Sequence, residues 1–407
     1  MKAVEFNLSI PKYAAALAAG KWMPSLHYGR LSMIRYRADR PDAPLPNDEW
    51  ARLRTIRSGV CGSDIAALFL KMSPSVEPFS SFPTVFGHEV LAEVIELGKA
   101  AKGVRVGDRV AVEPFLGCRA RGVTPPCPPC EKGLYSICRN VAEGPMAPGI
   151  ICGGCRDAPG GWAERMAAHP YHLFRVPDTI PDRLGAMIEP LSIGMHAVLR
   201  RGPAEGDKVL VIGGGMIAYA VIAALRMLGI RCEIAHASLL DYQSEMGLAL
   251  GADEPIVGGG RAFEERVSEI TGARRFKPML GQAIFKGGFD LVYDCIGSAQ
   301  SLGDAIRATR ERGTVVLVGA AGKLSGVDWT QVWTHEVDIV GVVGYGVEPA
   351  RRGKRTFEVL IDKIRKTELP LDRLVTHEFP LESYQEAIRA NVDRVGTRSI
   401  KTLFAFD

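Results

Sequence analysis

The sequence predicts an α/β protein in which a β-rich unit is followed by a doubly wound parallel sheet. The chain has 407 residues, more than one ordinary domain holds, so two units are expected. Strand-like apolar stretches bounded by Pro, Gly and Asp occupy residues 30–115. From residue 209 onward strands alternate with helices, a pattern typical of a parallel sheet with helices on both faces.

The first half contains strand-like stretches, a loop-rich segment and one clear helix. The strand-like stretches are RLSMIRYR, EWARLRTIRSGV, EVLAEVIELG and GDRVAVEP. Residues 116–160 are rich in Pro, Gly and Cys and are predicted to leave the sheet as loops. MIEPLSIGMHAVLRR (187–201) predicts a helix, because Pro190 falls in its first turn and Gly202-Pro203 follows its end.

The second half contains predicted strands separated by helices. The strands are VLVIG (209–213), RCEIAHA (231–237), DLVYDCIG (290–297), TVVLVGA (314–320) and VDIVGVVG (337–344). Helices are predicted after the first strand, up to about residue 228, and at YQSEMGLALG. The apolar run 209–230 is long enough to span a membrane. Because a Gly triplet divides it, we predict a buried strand, turn and helix instead.

The composition indicates a globular protein of the cytoplasm. Hydrophobic residues make up 47% of the chain, charged residues 24%, and the net charge is +4. Lys and Arg are scattered rather than clustered, which argues against a nucleic-acid partner. The N-terminus MKAVEFNLSIPKY lacks the apolar region of a signal peptide. We therefore expect a cytoplasmic protein with no membrane or nucleic-acid partner.

One loop, CRARGVTPPCPPCEKGLYSIC (118–138), holds four of the nine cysteines. A disulfide, a redox Cys-x-x-Cys motif or a metal site would each concentrate sulfur in this way. Disulfides are rare in the cytoplasm, which disfavours the first of these. Cys152 and Cys155 form a second Cys-x-x-Cys motif. No partner pair lies near them in the sequence, so free loop thiols are favoured there over a redox or metal role.

The segment GGGMIA (213–218) fits the dinucleotide-binding pattern G-x-G-x-x-G/A and lies between a predicted strand and a predicted helix. Gly213 permits the tight turn, Gly215 lets a diphosphate approach the backbone, and Ala218 allows close packing of helix and strand. An acidic residue that binds the ribose is expected at the end of the next strand. His236 or Ser238 stands there, and no Arg or Lys occurs nearby, so the choice between NAD and NADP stays open.

Two short motifs, CGSD (61–64) and GHE (87–89), supply a second set of metal ligands. Cys61, His88 and Glu89 offer a thiolate, an imidazole and a carboxylate, all of which zinc accepts. Either motif alone is more often structural than catalytic. Their order ahead of a dinucleotide motif favours a catalytic metal site.

Eight segments of the chain occur in the order, and at roughly the spacing, that one enzyme family shows. They are GVCGSD, FGHEVLAEVIELG, VGDRVAVEP, GGWAERM, AMIEPLSIGMHAV, VLVIGGGMIA, DLVYDCIGSA and GTVVLVGAAG. On these segments the chain resembles the zinc-containing medium-chain dehydrogenases, of the alcohol, sorbitol and threonine dehydrogenase type. The resemblance covers nearly the whole chain.

The resemblance implies a domain organisation and an assembly. A GroES-like catalytic domain is expected at residues 1–195, with a structural zinc lobe near 116–140. A Rossmann domain is expected at 196–345, and residues 346–407 are expected to return to the catalytic domain. A homodimer or homotetramer is expected on the same ground. Residues 10–28 and 273–288 stand out as insertions relative to the family.

The resemblance also implies the residues of the catalytic centre. The ligands of a catalytic zinc are expected to be Cys61, His88, Glu89 and Glu189. Ser63 matches a hydroxyl that hydrogen-bonds the substrate oxygen, so Ser63, Cys61 and His88 are the expected catalytic residues. Many relatives carry a proton-relay histidine five residues after the cysteine. Ala66 stands at that position here, so proton release must take another route.

The remaining assignments concern a structural zinc and the cofactor. The structural ligands are expected to be Cys118, Cys127, Cys130 and Cys138. Cys118 lies nine residues before Cys127 rather than the family's usual three. Either RARGVTPP bulges and Cys118 reaches the metal, which we favour, or the site is incomplete. The expected cofactor-binding residues are Gly213, Gly215, Met216, Ile217, Ala218, His236, Ser238, Ile296, Gly297 and Gly319.

The function that the resemblance implies is a zinc-dependent oxidoreductase. It would transfer hydride between NAD or NADP and a secondary alcohol or polyol, or the matching carbonyl, with zinc as the Lewis acid. An alternative is an NADPH-dependent enone or quinone reductase without catalytic zinc, but such relatives usually lack CGSD, GHE and the cysteine loop. A non-enzymatic zinc-ribbon module is a third hypothesis, which leaves the dinucleotide motif unexplained.

Overall fold

The computed structural model describes residues 1–406. Up to residue 187 the chain forms strands that are joined by loops and short helices. The strands of this part are β1 Ala3–Phe6, β2 Ile34–Arg37, β3 Ala51–Val60, β4 Thr84–Val85, β5 Val90–Leu97, β6 Arg109–Val112, β7 Arg165–Ala168 and β8 Leu173–Arg175. Its α-helices are α1 Ile10–Ala19, α2 Ser25–Tyr28, α3 Gly62–Leu68, α4 Pro128–Glu131 and α5 Asp182–Gly185. Short 3-10 helices occur at Pro74–Phe79, Tyr135–Ile137 and Pro170–His172.

Strands and helices alternate in the middle of the chain. The strands are β9 Lys208–Ile212, β10 Glu233–Ser238, β11 Glu254–Val257, β12 Arg274–Phe276, β13 Ile284–Lys286, β14 Phe289–Asp294, β15 Thr309–Leu317 and β16 Asp338–Gly341. The helices are α6 Ile188–Arg200, α7 Met216–Met227, α8 Asp241–Ala249, α9 Arg261–Thr271, α10 Ala299–Ala308 and α11 Thr330–Thr334.

The middle sheet is parallel, with the strand order β11-β10-β9-β14-β15-β16. This is the order of a dinucleotide-binding doubly wound sheet, and it reverses between β9 and β14. Ligands bind such sheets at the carboxyl ends of the strands beside that reversal. The predicted doubly wound parallel sheet is therefore confirmed.

The last part of the chain returns to the first unit. Its strands are β17 Val347–Glu348, β18 Lys354–Arg355, β19 Val375–Pro380 and β20 Lys401–Ala405. Its helices are α12 Thr356–Ile364, α13 Tyr384–Val392 and α14 Arg394–Thr397, with 3-10 helices at Pro349–Arg351, Leu371–Leu374 and Leu381–Ser383. Strand β20 pairs with β3, so the large sheet of the first unit has the order β19-β20-β3-β5-β6-β8, and β7 also pairs with β3. A smaller sheet has the order β2-β1-β4.

Helices α6 and α7 join the two units by close packing. A Cβ on Gly194 of α6 would lie 2.3 Å from the carbonyl carbon of Ala220 in α7, so only glycine allows this approach. Residue 195, the predicted domain boundary, falls inside α6. The boundaries at 195 and 345 stay predictions.

The apolar run 209–230 forms a strand, a turn and a helix, as predicted. Most side chains of α7 are buried between the sheet and α6, which accounts for their apolar character. Within residues 1–406 no helix combines the length and the apolar character needed to cross a membrane.

The strands and helices predicted in both halves are present, but several strands are shorter than their apolar patterns, among them β14 and β15, which end at Asp294 and Leu317. Strand β2 covers only the last residues of RLSMIRYR, and β16 ends at Gly341 rather than at Gly344. Gly344 has a φ of +60°, so the backbone there turns away from the strand direction.

Both predicted insertions are structured. Residues 10–28 form α1 and α2, and residues 273–288 contain the β12–β13 hairpin. His27 of α2 is buried and stacks on Phe69, with ring centroids 4.4 Å apart. Its Nδ1 lies 3.0 Å from the carbonyl oxygen of Leu68. The first insertion therefore packs against the C-terminal end of α3.

Candidate metal centres and dinucleotide site

Three of the predicted catalytic ligands lie together where β3 ends and its neighbour β5 begins. Cys61 follows β3, and His88 and Glu89 directly precede β5, the antiparallel partner of β3. A sulfur of Cys61, a ring nitrogen of His88 and a carboxylate oxygen of Glu89 all lie within 4.8 Å of one another. The register of β3 and β5 thus brings two distant sequence motifs to one place.

Asp64 orients two of these ligands. Its Oδ2 accepts the backbone N–H of Cys61 at 3.0 Å, and its Oδ1 lies 3.5 Å from Nδ1 of His88. A carboxylate on one ring nitrogen leaves Nε2 of the imidazole for a metal. Burial lowers the pKa of His88, but the negative charges of Asp64 and Cys61 outweigh it and raise that pKa well above its usual value. This donor set and its negative field fit a zinc ion.

Glu89 is paired with a buried lysine that the motifs do not indicate. Nζ of Lys401, in β20, lies 2.5 Å from both carboxylate oxygens of Glu89 and 3.2 Å from the carbonyl oxygen of Val60. Both side chains are almost fully buried. A Cβ on Gly59 would lie 1.8 Å from Oε2 of Glu89, so glycine is needed opposite this ion pair.

Glu189, the fourth predicted ligand, lies beside the group rather than within it. Among residues 1–406, the donor atoms that lie within 4.8 Å of one another at this centre are those of Cys61, His88 and Glu89, and Glu189 is not one of them. Glu189 stands in the first turn of α6, and its Oε1 accepts a 2.8 Å hydrogen bond from the hydroxyl of Tyr345. Burial raises the pKa of Glu189 to about 7, and the nearby charge of His88 opposes this shift.

Ser63 and Ala66 lie in α3, directly after the cysteine ligand. Ser63 is half-buried in the first turn of this helix. Its predicted contact with a substrate oxygen stays a prediction.

The cysteine lobe, residues 118–138, gathers its four thiols around one point. Sγ of Cys138 lies 3.6 Å from Sγ of Cys118 and 3.9 Å from Sγ of Cys127, and all four sulfurs lie within 4.8 Å of one another. A disulfide needs sulfurs about 2.05 Å apart. Tetrahedral zinc with Zn–S bonds of about 2.3 Å separates its sulfurs by about 3.8 Å. The spacing therefore fits zinc and excludes a disulfide.

Cys118 belongs to this group although the sequence places it far upstream. Its sulfur accepts the backbone N–H of Cys127 and the side-chain amide of Asn140, both at 3.3 Å. Arg121, fully buried, holds the intervening bulge by donating to the carbonyl oxygens of Glu143 and Met146, each at 2.8 Å. The bulge that we favoured is thus present.

Cys152 and Cys155 belong neither to the four-cysteine group nor to the group of Cys61, His88 and Glu89. Both are buried, and that they act as free thiols stays a prediction. Sγ of Cys155 donates to the carbonyl oxygen of Ala147 at 3.3 Å.

The glycine motif stands at the carboxyl end of β9, beside the reversal of strand order. Gly213 has a φ of +137°, which side chains rarely adopt, and a Cβ there would lie 3.6 Å from Cβ of Ala218. Gly215 caps α7, and Met216, Ile217 and Ala218 form the first turn of that helix. As the N-cap of α7, Gly215 has no side chain that could bond to the first backbone N–H groups, which are the groups that bind a diphosphate in such motifs.

The other predicted cofactor residues surround the glycine motif at different depths. His236 is fully buried, and its Nε2 lies 2.8 Å from the carbonyl oxygen of Gly213. Ser238 ends β10. Ile296 is 47% exposed beyond β14, and a Cβ on Gly319 would lie 2.3 Å from its carbonyl carbon. Gly297 turns the chain with a φ of +78°. Contact of these residues with a cofactor stays a prediction.

One arginine reaches the glycine motif from the C-terminal segment. Nη1 of Arg394 would lie 3.3 Å from a Cβ on Gly215. Its Nε donates to the carbonyl oxygen of Asn391 at 3.3 Å, and within residues 1–406 it forms no ion pair. The Tyr242 hydroxyl, in α8, donates to the carbonyl oxygen of Arg394 at 3.1 Å. An arginine from a distant part of the chain therefore lies beside the glycine motif.

Comparison with protein families covers most of the chain. Residues 47–178 match the alcohol dehydrogenase GroES-like domain, and residues 217–365 match the zinc-binding dehydrogenase domain. L-idonate 5-dehydrogenase of Vitis vinifera is 28% identical over 362 residues, with 88% of each chain covered. Sorbitol dehydrogenase of Arabidopsis thaliana is 29% identical over 360 residues, with 88% of each covered.

The fold also matches solved structures. An Escherichia coli alcohol dehydrogenase, in complex with its cofactor NADH, superposes with a TM-score of 0.70 at 24% sequence identity. The match covers 92% of this chain and 95% of that one. The predicted fold, a GroES-like β-rich domain with a Rossmann sheet, is thereby confirmed.

Proposed function

The chain belongs to the zinc-containing medium-chain dehydrogenase family, and we propose that it transfers hydride between a nicotinamide cofactor and a secondary alcohol or polyol, or the matching carbonyl. The observation that carries this proposal is the meeting of the half-buried Cys61 with the buried His88 and Glu89 in one group of metal-donor atoms. The glycine motif beside the strand-order reversal supports the cofactor part.

The side chains divide the work at this centre. Zinc, when bound, supplies a Lewis acid that polarises the substrate oxygen. Cys61 and His88 would hold it, with Glu89 and Glu189 as the carboxylates, while Asp64 keeps His88 in the right orientation. The hydroxyl of Ser63 would donate a hydrogen bond to the substrate oxygen. Because Ala66 cannot carry a proton, the proton must leave by a route other than a histidine at that position.

Polyols are the favoured substrates. The resemblance implies that Glu189 stands where ethanol-type members of the family carry a second cysteine. The relatives named above act, by their names, on sorbitol and L-idonate. A panel of secondary alcohols and polyols, run with NAD and NADP in parallel, tests the proposal. No change in nicotinamide absorbance with any of them would contradict it.

The zinc-free enone or quinone reductase is the second candidate function. The grouping of Cys61 with His88 disfavours this function, because a reductase without catalytic zinc needs no such metal ligands. Metal analysis separates the two functions: two zinc ions per chain support the dehydrogenase, and none supports the reductase.

The cysteine lobe is proposed to hold a structural zinc, and Cys118→Ser tests it. We expect this variant to lose one of the two zinc ions, because three thiolates leave the tetrahedral site incomplete. The measurement is the zinc content of the purified, dialysed protein. Cys155→Ser is the matched control, since Cys155 is an equally buried thiol outside the group, and its zinc content should stay unchanged. Unchanged zinc in Cys118→Ser would contradict the proposed site.

Arg394 is proposed to contact the diphosphate of the cofactor, so Arg394→Gln should weaken binding of NADH and NADPH by about tenfold or more. Hydrogen bonds to charged groups contribute about 1.5–3 kcal/mol, and about 1.4 kcal/mol corresponds to tenfold in affinity. Fluorescence titration of the reduced cofactor measures the change. Arg373→Gln, which alters an exposed arginine before β19, is the control. If Arg394→Gln binds NADH and NADPH as tightly as the wild type does, Arg394 does not contact the cofactor.

Compartment and assembly follow from the resemblance to the family. We propose that the enzyme acts in the cytoplasm as a homodimer or homotetramer. Sedimentation equilibrium of the purified protein tests the assembly.

A further inference from the structure

Tyr345 is buried between the two candidate metal sites. Its side chain is 1% exposed and packs edge-on against Phe115 and Phe357, with ring centroids 5.4 and 4.9 Å apart. Its hydroxyl donates to Oε1 of Glu189 at 2.8 Å. The ring contacts fix the direction of the hydroxyl, and the hydroxyl occupies one of the two carboxylate oxygens. One of the two carboxylate oxygens of Glu189 is thus held in place by a buried hydroxyl.

The backbone that carries Tyr345 is held by the cysteine lobe. The N–H of Tyr345 donates to Oγ of Ser136 at 3.1 Å, and that Oγ donates to the carbonyl oxygen of Tyr345 at 2.5 Å. Two residues on, the N–H of Val347 donates to the carbonyl oxygen of Gly133 at 3.1 Å. A Cβ on Gly133 would lie 2.3 Å from a methyl carbon of Val347. Gly133 and Ser136 both lie between the last two cysteines of the lobe.

We propose that Tyr345 is a positioning residue for Glu189, and that the cysteine lobe sets the place of Tyr345 through Ser136. Hydrogen bonds join the lobe to the backbone of Tyr345, and the hydroxyl of Tyr345 to Glu189, which lies beside the candidate catalytic ligands. The lobe is thus a support of the catalytic centre as well as a metal site of its own. This inference rests on the proposed function, since it takes Glu189 to serve a catalytic zinc.

Tyr345→Phe tests the first part, because phenylalanine keeps both ring contacts and removes only the hydroxyl. Partners that orient metal ligands typically change metal affinity by about 10–100-fold when they are removed. We expect the catalytic zinc to bind at least about tenfold more weakly, measured by competition with a chromophoric chelator. The absorption of the cobalt-substituted catalytic site should also change. The lobe should keep its own metal.

Tyr293→Phe is the matched control. Tyr293 is equally buried, and its hydroxyl donates to the carbonyl oxygen of Arg201 at 2.7 Å, in the nucleotide-binding unit. We expect Tyr293→Phe to lower the free energy of unfolding about as much as Tyr345→Phe does. It should change neither the zinc affinity of the catalytic site nor its cobalt spectrum. Equal zinc affinity and an unaltered cobalt spectrum in Tyr345→Phe would overturn the role of Tyr345.

Ser136→Ala tests the part played by the lobe. It removes both hydrogen bonds to the Tyr345 backbone and touches no cysteine. We expect catalytic zinc affinity to fall in the same direction as in Tyr345→Phe, and by a smaller factor, with the lobe metal retained. If only Tyr345→Phe has an effect, the coupling to the lobe is overturned. If the wild-type protein binds no zinc outside the lobe, it is the proposed function that fails.

Discussion

Replacing Cys61 or His88 by alanine is expected to lower turnover of a secondary alcohol at least about a thousandfold. Each variant removes one of three donor groups that lie within 4.8 Å of one another, and neither alanine can bind a metal. A bound metal stabilises charge on the substrate oxygen by several kcal/mol, and each ~1.4 kcal/mol changes a rate tenfold. The initial rate of cofactor reduction, at saturating NAD or NADP, measures the loss.

Cys232→Ala is the control for the thiol, since Cys232 is a half-buried cysteine near β10 and remote from the metal group. It should keep wild-type turnover. The metal content of the Cys61 and His88 variants should fall by one zinc per chain, with the zinc of the cysteine lobe retained. Full activity in either variant would be incompatible with the proposed chemistry.

Lys401→Met is expected to lower the free energy of unfolding by about 3–5 kcal/mol, because it leaves the buried carboxylate of Glu89 without its partner. Methionine has a similar length and fills the same space, so the lost charge dominates the effect. The shift in the midpoint of denaturant unfolding, at constant slope, measures it.

Two further variants separate charge from packing at this position. Lys401→Arg keeps the positive charge and should lose less stability than Lys401→Met. Replacing both partners, as Lys401→Met with Glu89→Gln, should recover part of the loss, because no buried charge is then left unpaired. A double variant as unstable as Lys401→Met alone would mean that the ion pair is not the cause.

Features that depend on neighbouring residues were predictable from the sequence. The apolar run before Gly213 defines β9, and the small residues after it define the turn and α7, because each depends on local backbone preference. The same holds for Cys127 and Cys130, whose spacing alone suggests a shared metal. The motifs around Cys61 and His88 carried the family resemblance, and with it the order of the domains.

Pairs that meet only through the tertiary fold were not predictable. The Lys401–Glu89 ion pair joins residues 312 positions apart, and no sequence motif contains both of them. Arg394 likewise reaches Gly215 only because the C-terminal segment folds back to the glycine motif. Long, flexible side chains carry no periodic pattern, so the sequence does not indicate which of the many Lys and Arg residues will be used.

The placement of β20 beside β3 has a consequence for synthesis on the ribosome. Strand β3 emerges early, but its neighbour β20, with the countercharge for Glu89, is translated after all the other strands described here. The parallel sheet of the middle segment is complete before β20 is made. We therefore expect the middle of the nascent chain to fold first, while residues 57–60 of β3, which pair with β20 rather than with β7, stay unpaired and exposed to aggregation. The metal-binding unit, although encoded first, closes last.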